Sequence, residues 1–145
     1  EMHDLGYNYR LTDFQAALGL SQMQRADAKL NRRKEIAKIY SEAFTEFDSV
    51  INSSGWVDGH AYHLFVLEVE NRRALYDHLK NVGIFAQIHY LPVHLMPYYQ
   101  EQGWKEGDFP NAERYYSRCI SIPMFPTLTD EQVKHIIKSI KTYFK

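Results

Sequence analysis

The sequence predicts a small α/β fold of the α+β type, in which a long N-terminal helix precedes a short, mainly antiparallel sheet that helices cover. Three observations predict it. A helical pattern runs through residues 12–47 without a proline, two short apolar runs at residues 63–69 and 119–122 have the composition of strands, and an amphipathic pattern occupies residues 129–144. The chain has 145 residues, which is enough for one hydrophobic core.

The composition excludes several classes of protein. Hydrophobic residues make up 45% of the chain, with eleven tyrosines and eight phenylalanines, which is typical of a globular rather than a disordered protein. A formal net charge of −1 gives no strong field to attract nucleic acid or a membrane surface, and no apolar run is long enough to span a bilayer. Cys119 is the single cysteine, so an internal disulfide is excluded. Its context is that of a small core residue in a reducing compartment such as the cytoplasm.

The long helix begins at a capping box, in which Thr12 and Gln15 satisfy each other's backbone N–H groups. Apolar residues then recur at spacings of three, four and seven up to Phe47. The pattern predicts one unusually long helix, straight or bent, that connects two bodies. The basic run at residues 32–34 lies among acidic residues, which indicates a solvated face with local ion pairs rather than a nucleic-acid site.

The elements after the long helix follow from turn and cap signals. Residues 48–59 are rich in serine and glycine and predict a loop or a weak hairpin, and residues 63–69 predict a strand. Asn71 caps a short helix that Gly83 ends, and residues 84–88 predict a second strand. Pro110 precedes a helix over residues 111–118, and a strand follows at residues 119–122. Thr129 opens the last helix with a second capping box.

Residues 87–99, QIHYLPVHLMPYY, place two histidines, three tyrosines and two prolines within thirteen positions. Because Pro92 and Pro97 keep the segment out of a helix, His89, Tyr90 and His94 are interpreted as a substrate-binding loop. Two other interpretations stay open. His89 and His94 could bind a metal, although no third ligand is evident, or the histidines could bond backbone carbonyls in a packed turn.

The segment at residues 6–10, GYNYR, lies just before the N-terminus of the long helix. Asn8, Arg10 and the backbone N–H groups of the helix start could bind an anion such as phosphate. The alternative is an ordinary helix lead-in with packed tyrosines.

Three separated segments together resemble a known family. These segments are LGYNYRLTDFQAALGLSQ, GIFAQIHYLPVHLMPYY and the stretch from FPNAE through SIPMFP to Leu128. They are similar in order and spacing to the C-terminal portion of the DegT/DnrJ/EryC1/StrS sugar aminotransferases, which are fold-type I enzymes that use pyridoxal 5′-phosphate. Within that family the resemblance is greatest to enzymes of the pseudaminic-acid type, which aminate a UDP-linked 4-keto-6-deoxy-N-acetylhexosamine at C4.

The resemblance implies a role for each residue singled out above. Asn8 would reach the cofactor phosphate of the neighbouring subunit in a homodimer, and Arg10 would contact the nucleotide-sugar or cofactor phosphates. His89, Tyr90 and His94 would line the nucleotide-sugar pocket and position the sugar carbonyl. L-Glutamate would be the amino donor. No metal and no catalytic residue is implied within this chain.

The resemblance also implies a division of the protein. Residues 1–48 would be an interdomain segment with the connecting helix, and residues 49–145 a small C-terminal domain. The Schiff-base lysine of the family lies before the GYNYR segment, whereas Lys29 is the first lysine here. We therefore expect the chain to be part of a longer protein and to be inactive alone. A sugar dehydratase of the same family, or a non-catalytic dimerisation or ligand-binding module, would fit the same residues.

Overall fold

The computed structural model describes residues 3–4, 6–7, 9–45, 47, 50–52 and 55–145, with the backbone alone for residues 50–52. It confirms the predicted fold class: helices surround a short antiparallel sheet. The helices are α1 (Asp13–Met23), α2 (Ala26–Phe44), α3 (Arg72–Asn81), a 3₁₀ helix (Val93–Leu95), α4 (Pro97–Gln100), α5 (Pro110–Arg118) and α6 (Asp130–Tyr143). The strands are β1 (Val50–Asn52), β2 (Phe65–Val69) and β3 (Cys119–Ile122).

The sheet has the order β1–β2–β3, and both pairings are antiparallel. β2 is the central strand, and its alternate residues are fully buried because one face lies on the core. Phe65 of β2 lies opposite Ile122 of β3, and Leu67 lies opposite Ile120. These cross-strand apolar pairs form the floor of the hydrophobic core.

Three helices cover that floor. α2 contributes Tyr40 and Phe44, α3 contributes Leu75 and Leu79, and α6 contributes the buried residues Val133, Ile136 and Ile140. Each fully buried aliphatic side chain stabilises the fold by roughly 1.5–3 kcal/mol before entropy is subtracted. The Tyr40 hydroxyl donates to the carbonyl of Pro123 at 3.0 Å, so this buried phenol has a partner.

The long N-terminal helix is broken rather than continuous. α1 ends at Met23 and α2 begins at Ala26. At the break the Arg25 guanidinium donates to the carbonyl and the hydroxyl of Ser21, so it holds the chain where the backbone helix stops. None of α1 is buried in the described part of the chain, and the side chain of Phe14 is 82% exposed. α1 therefore contributes nothing to the core that α2 helps to build.

Local signals correctly predicted the helix ends. Thr12 and Thr129 both form complete capping boxes. Asn71 accepts from the backbone of Ala74 at the start of α3. Gly83 has a φ of 79° after α3, in the left-handed region that favours glycine.

The predicted strand at residues 84–88 is wrong. After α3 the N–H of Ile84 bonds back to the carbonyl of Leu79 at 2.8 Å, and only Gln87 forms a bridge to Ser121 of β3. Beyond Ile84 the segment meets β3 only at this one residue, so no ladder forms. The segment at residues 48–59 contains one short strand, β1, whose partner is β2 at residues 67–69, although residues 48, 49, 53 and 54 lie outside the described part of the chain.

The basic run on α2 is not simply a solvated face. Nη1 of Arg33 donates to the carbonyls of Tyr62, His63 and Met124 at 3.1, 3.1 and 2.9 Å. Arg32 donates to the carbonyl of Leu128 and pairs with the carboxylate of Asp130, which begins α6. These two arginines anchor α2 to loops far along the sequence.

None of the helices in the described part of the chain combines the length and the apolar character that crossing a membrane requires.

Candidate functional site

The ring-rich segment begins at the edge of the sheet. Gln87 and Ser121 exchange two backbone hydrogen bonds of 2.9 and 2.8 Å, which fixes the start of the segment against β3. The prediction that the prolines exclude helix is wrong beyond residue 92. A 3₁₀ helix follows Pro92, and Pro97 is the first residue of α4. Proline is tolerated at a helix start because its missing N–H would have no intrahelical acceptor there.

β3 holds His89 at two points. Nδ1 of the imidazole lies 2.9 Å from the Ser121 hydroxyl, and the His89 carbonyl accepts a weak hydrogen bond from the Cys119 thiol at 3.8 Å. His89 as a residue is only half-buried. His89 therefore has a fixed orientation and a partly accessible ring.

Tyr90 is the most accessible of the predicted substrate-binding residues in this loop. Its side chain is 69% exposed, and its ring stands edge-on to the His89 imidazole with centroids 4.7 Å apart. The peptide bond between these two residues is cis. The phenol is in a position to contact a molecule that approaches His89.

His94 points inward, unlike His89. It is 7% exposed, and its Nε2 lies 2.7 Å from Oε1 of Glu113. The Glu113 carboxylate also accepts the backbone N–H groups of Gly107 and Phe109. The hydrogen bond from His94, helped by these two N–H groups, holds the pKa of the Glu113 carboxyl below its usual value of 4.5, although desolvation opposes the shift. The pair ties the 3₁₀ helix to α5 and to the turn before it.

An apolar cavity of about 380 Å³ opens beside His94. It is lined by Pro92, Val93, His94, Tyr99, Trp104, Phe109 and Ala112. The His94 ring also packs on Phe109, with centroids 4.8 Å apart. A cavity of this composition suits a flat or apolar group better than a charged one.

The GYNYR segment is separate from this cavity. Asn8 lies outside the described residues. Tyr7 and Tyr9 stack on each other at 5.3 Å, and Arg10 is exposed and does not line the cavity. His89 and Tyr90 are in ring contact with each other, but of the four predicted and described site residues only His94 lines this cavity.

The other interpretations of the histidines can be compared with this geometry. His89 Nδ1 and His94 Nε2 bond side chains, Ser121 and Glu113, rather than the backbone carbonyls expected in a packed turn. Across the described residues, no three histidine, cysteine, aspartate or glutamate side chains gather as a metal site requires. Burial raises the pKa of the Cys119 thiol, which suits a core residue and not a nucleophile.

Sequence reasoning missed Ser121 and Glu113. Ser121 carried a signal, because it is the one hydroxyl in the otherwise apolar CISI strand, and a buried hydroxyl needs a partner. Glu113 carried none, since an acidic residue in the first turn of a helix is common.

Comparison with known proteins settles the family. The profile of the DegT/DnrJ/EryC1/StrS aminotransferase family matches residues 1–141. The chain belongs to this family. The spore coat polysaccharide biosynthesis protein SpsC of Bacillus subtilis (strain 168) is 40% identical, and the match covers 100% of this chain and 40% of that protein.

Two solved structures show the same fold. DesV of S. venezuelae, in complex with a ketimine intermediate, superposes with a TM-score of 0.91 at 29% identity, covering 99% of this chain and 39% of that one. Helicobacter pylori PseC, an aminotransferase involved in pseudoaminic acid biosynthesis, gives a TM-score of 0.86 at 29% identity, covering 99% and 40%. The chain thus spans about 40% of the length of the relatives it matches.

The aminotransferases of this family depend on pyridoxal 5′-phosphate. Of the two residues that the resemblance assigns to phosphate groups, Asn8 lies outside the described residues, and Arg10 is exposed on the segment before α1. Lys29 donates to Gln22 across the helix break, so this lysine is used locally.

Proposed function

We propose that the chain is the C-terminal part of an aminotransferase that transfers an amino group from L-glutamate to a nucleotide-linked 4-keto-6-deoxy sugar. The observation that carries the proposal is the family match over residues 1–141. The edge-on contact of the ring of half-buried His89 with the ring of exposed Tyr90, beside the sheet, supports it. The substrate class and the donor come from the resemblance of the motifs.

The residues of the chain would bind and orient rather than transfer protons. His89 and Tyr90 offer polar ring atoms to the pyrophosphate or the sugar hydroxyls, and Arg10 and Asn8 to a phosphate. His94 would form part of the wall, since its Nε2 already bonds Glu113. Pyridoxal phosphate, held mainly by the rest of the protein, supplies the group that carries nitrogen between donor and acceptor.

We also propose a cytoplasmic homodimer whose sites are shared between subunits. The large apolar side chains of α1 support this, since Phe14, Leu18 and Met23 are all more than half exposed. An apolar surface of this kind promotes association. Light scattering of the full-length protein should therefore find a dimer or a larger species, and a monomer would contradict the proposal.

The activity is tested with the full-length protein, pyridoxal phosphate, L-glutamate and a panel of nucleotide-linked 4-keto-6-deoxy sugars. We expect 2-oxoglutarate and an amino sugar in equal amounts, measured by mass spectrometry. The 145-residue chain alone is the matched control and should show no turnover, even overnight. A deoxygenated sugar would indicate a dehydratase instead, and no product from any sugar would favour a non-catalytic module.

A further inference from the structure

We infer that Ser121 is a positioning residue, whose hydroxyl orients the His89 imidazole toward the nucleotide-sugar. The inference rests on the proposed function, because it concerns the ligand that His89 would meet. It adds a residue of β3 to a site otherwise built from the loop at residues 87–99.

The geometry of β3 places Ser121 for this role. Successive side chains of a strand point to opposite faces. Ile120 and Ile122 belong to the hydrophobic core, so Cys119 and Ser121 point to the other face, where His89 lies. One strand thus holds both the carbonyl and the ring of this histidine.

The backbone adds a second constraint. Gln87, two residues before His89, exchanges both of its backbone hydrogen bonds with Ser121. The residue that orients the ring therefore also fixes the chain that carries it. An orientation fixed before binding lowers the entropy lost when the ligand arrives.

The bond also determines which atom of His89 can meet a ligand. Ser121 is 4% exposed, so its hydroxyl depends on a protein partner, and that partner is Nδ1. No other described residue hydrogen-bonds the ring, which leaves Nε2 for a ligand. Phosphate oxygens only accept hydrogen bonds. The productive arrangement therefore has Ser121 donating to Nδ1 and Nε2–H donating to the ligand.

His94 provides the contrast within the same loop. Its Nε2 bonds the Glu113 carboxylate, and its ring is buried against Phe109. Of the two histidines, His89 is therefore the one whose ring is both fixed and accessible.

The test uses the full-length protein and isothermal titration with UDP, GDP, CDP and dTDP as probes. Losing the orienting hydrogen bond in Ser121→Ala should weaken binding of the preferred nucleotide by about threefold to tenfold. Ser121→Thr keeps the hydroxyl and should bind like the wild type. Ser139→Ala removes a buried hydroxyl from α6, away from this loop, and is the matched control. Should Ser121→Ala fail to fold, Ser121→Cys keeps the volume with a weaker hydrogen bond.

A double-mutant cycle separates positioning from a general structural effect. If Ser121 acts through His89, Ser121→Ala should have no further effect on binding in a His89→Ala protein. An equal loss in both backgrounds, or wild-type affinity in Ser121→Ala, would overturn the inference and leave the proposed function standing. If the wild type binds none of the four nucleotides, the proposed function fails, and the inference fails with it.

Discussion

Arg33 connects three parts of the chain through one nitrogen atom, so its removal should be among the most damaging single changes on α2. Nη1 donates to the carbonyls of Tyr62 and His63 before β2 and to the carbonyl of Met124 after β3. Arg33→Ala leaves these oxygens without their donor. Lys38→Ala removes an exposed cation from the same helix and serves as the control.

The expected loss can be worked from the contacts. Nη1 carries two protons for three oxygens, so it forms two full hydrogen bonds at a time. A hydrogen bond to a charged group contributes about 1.5–3 kcal/mol, which gives about 3–6 kcal/mol for two. Water can replace the bond at the exposed His63 carbonyl but not readily at the part-buried carbonyls of Tyr62 and Met124. We therefore expect a loss of about 2–4 kcal/mol for Arg33→Ala, and less than about 0.5 kcal/mol for Lys38→Ala.

Hydrogen exchange measured by mass spectrometry on the full-length protein gives the local free energy of opening. Peptides that cover residues 60–69 and 119–126 should exchange faster in Arg33→Ala, because both segments lose the same anchor. In Arg33→Lys these peptides should exchange at rates between those of the wild type and Arg33→Ala, since a single ammonium reaches fewer of the carbonyls. If Arg33→Ala and Lys38→Ala exchange alike, the three-carbonyl anchor does not stabilise the fold.

Three further predictions concern the turn before α5 and two helix ends. Because the pKa of Glu113 is lowered on folding, its stabilisation of the turn is present above about pH 4.5 and is lost as the pH falls through the lowered pKa. In a full-length variant whose tryptophans other than Trp104 are replaced by phenylalanine, Trp104 fluorescence should report this acid transition, and the same transition in Glu113→Gln would refute the assignment. Thr129→Ala removes a capping box and should lower the free energy of opening of the first turn of α6, measured by hydrogen exchange, by about 1 kcal/mol. Thr127→Ala is the control and should leave that free energy unchanged. The added methyl group of Gly83→Ala would meet no atom within 4 Å, so the positive φ alone should lower the free energy of unfolding by about 1–2 kcal/mol. Unchanged hydrogen exchange of α3 in this variant would contradict the prediction.

Helix ends were predictable because their causes are local. The capping boxes at Thr12 and Thr129 each close over three residues, and Asn71 caps α3 over the same span. These signals are contained in a short stretch of sequence, and tertiary structure did not override them. The strand at residues 84–88 failed because an apolar run does not show whether its backbone meets a partner strand, and here only Gln87 does.

The contacts of α2 could not be predicted in the same way. Arg33 bonds carbonyls 29 and 91 residues away, and the partners are backbone atoms that every residue carries. No property of the sequence distinguishes those carbonyls from any others. A basic run therefore looked like a solvated face until the fold showed that Arg32 and Arg33 bond distant parts of the chain.

The two histidines of the loop show where sequence reasoning about the site ends. His89 and His94 are the same residue type five positions apart, and the sequence supported one role for both. What separates their chemistry is a partner 32 residues ahead in one case and 19 in the other. The buried Ser121 hydroxyl bonds Nδ1 of His89 and leaves Nε2 for a ligand. The Glu113 carboxylate bonds Nε2 of His94, whose ring is buried. The motif thus predicts which segment would contact a ligand, but the hydrogen-bond partners of the two histidines determine which ring is free to do so.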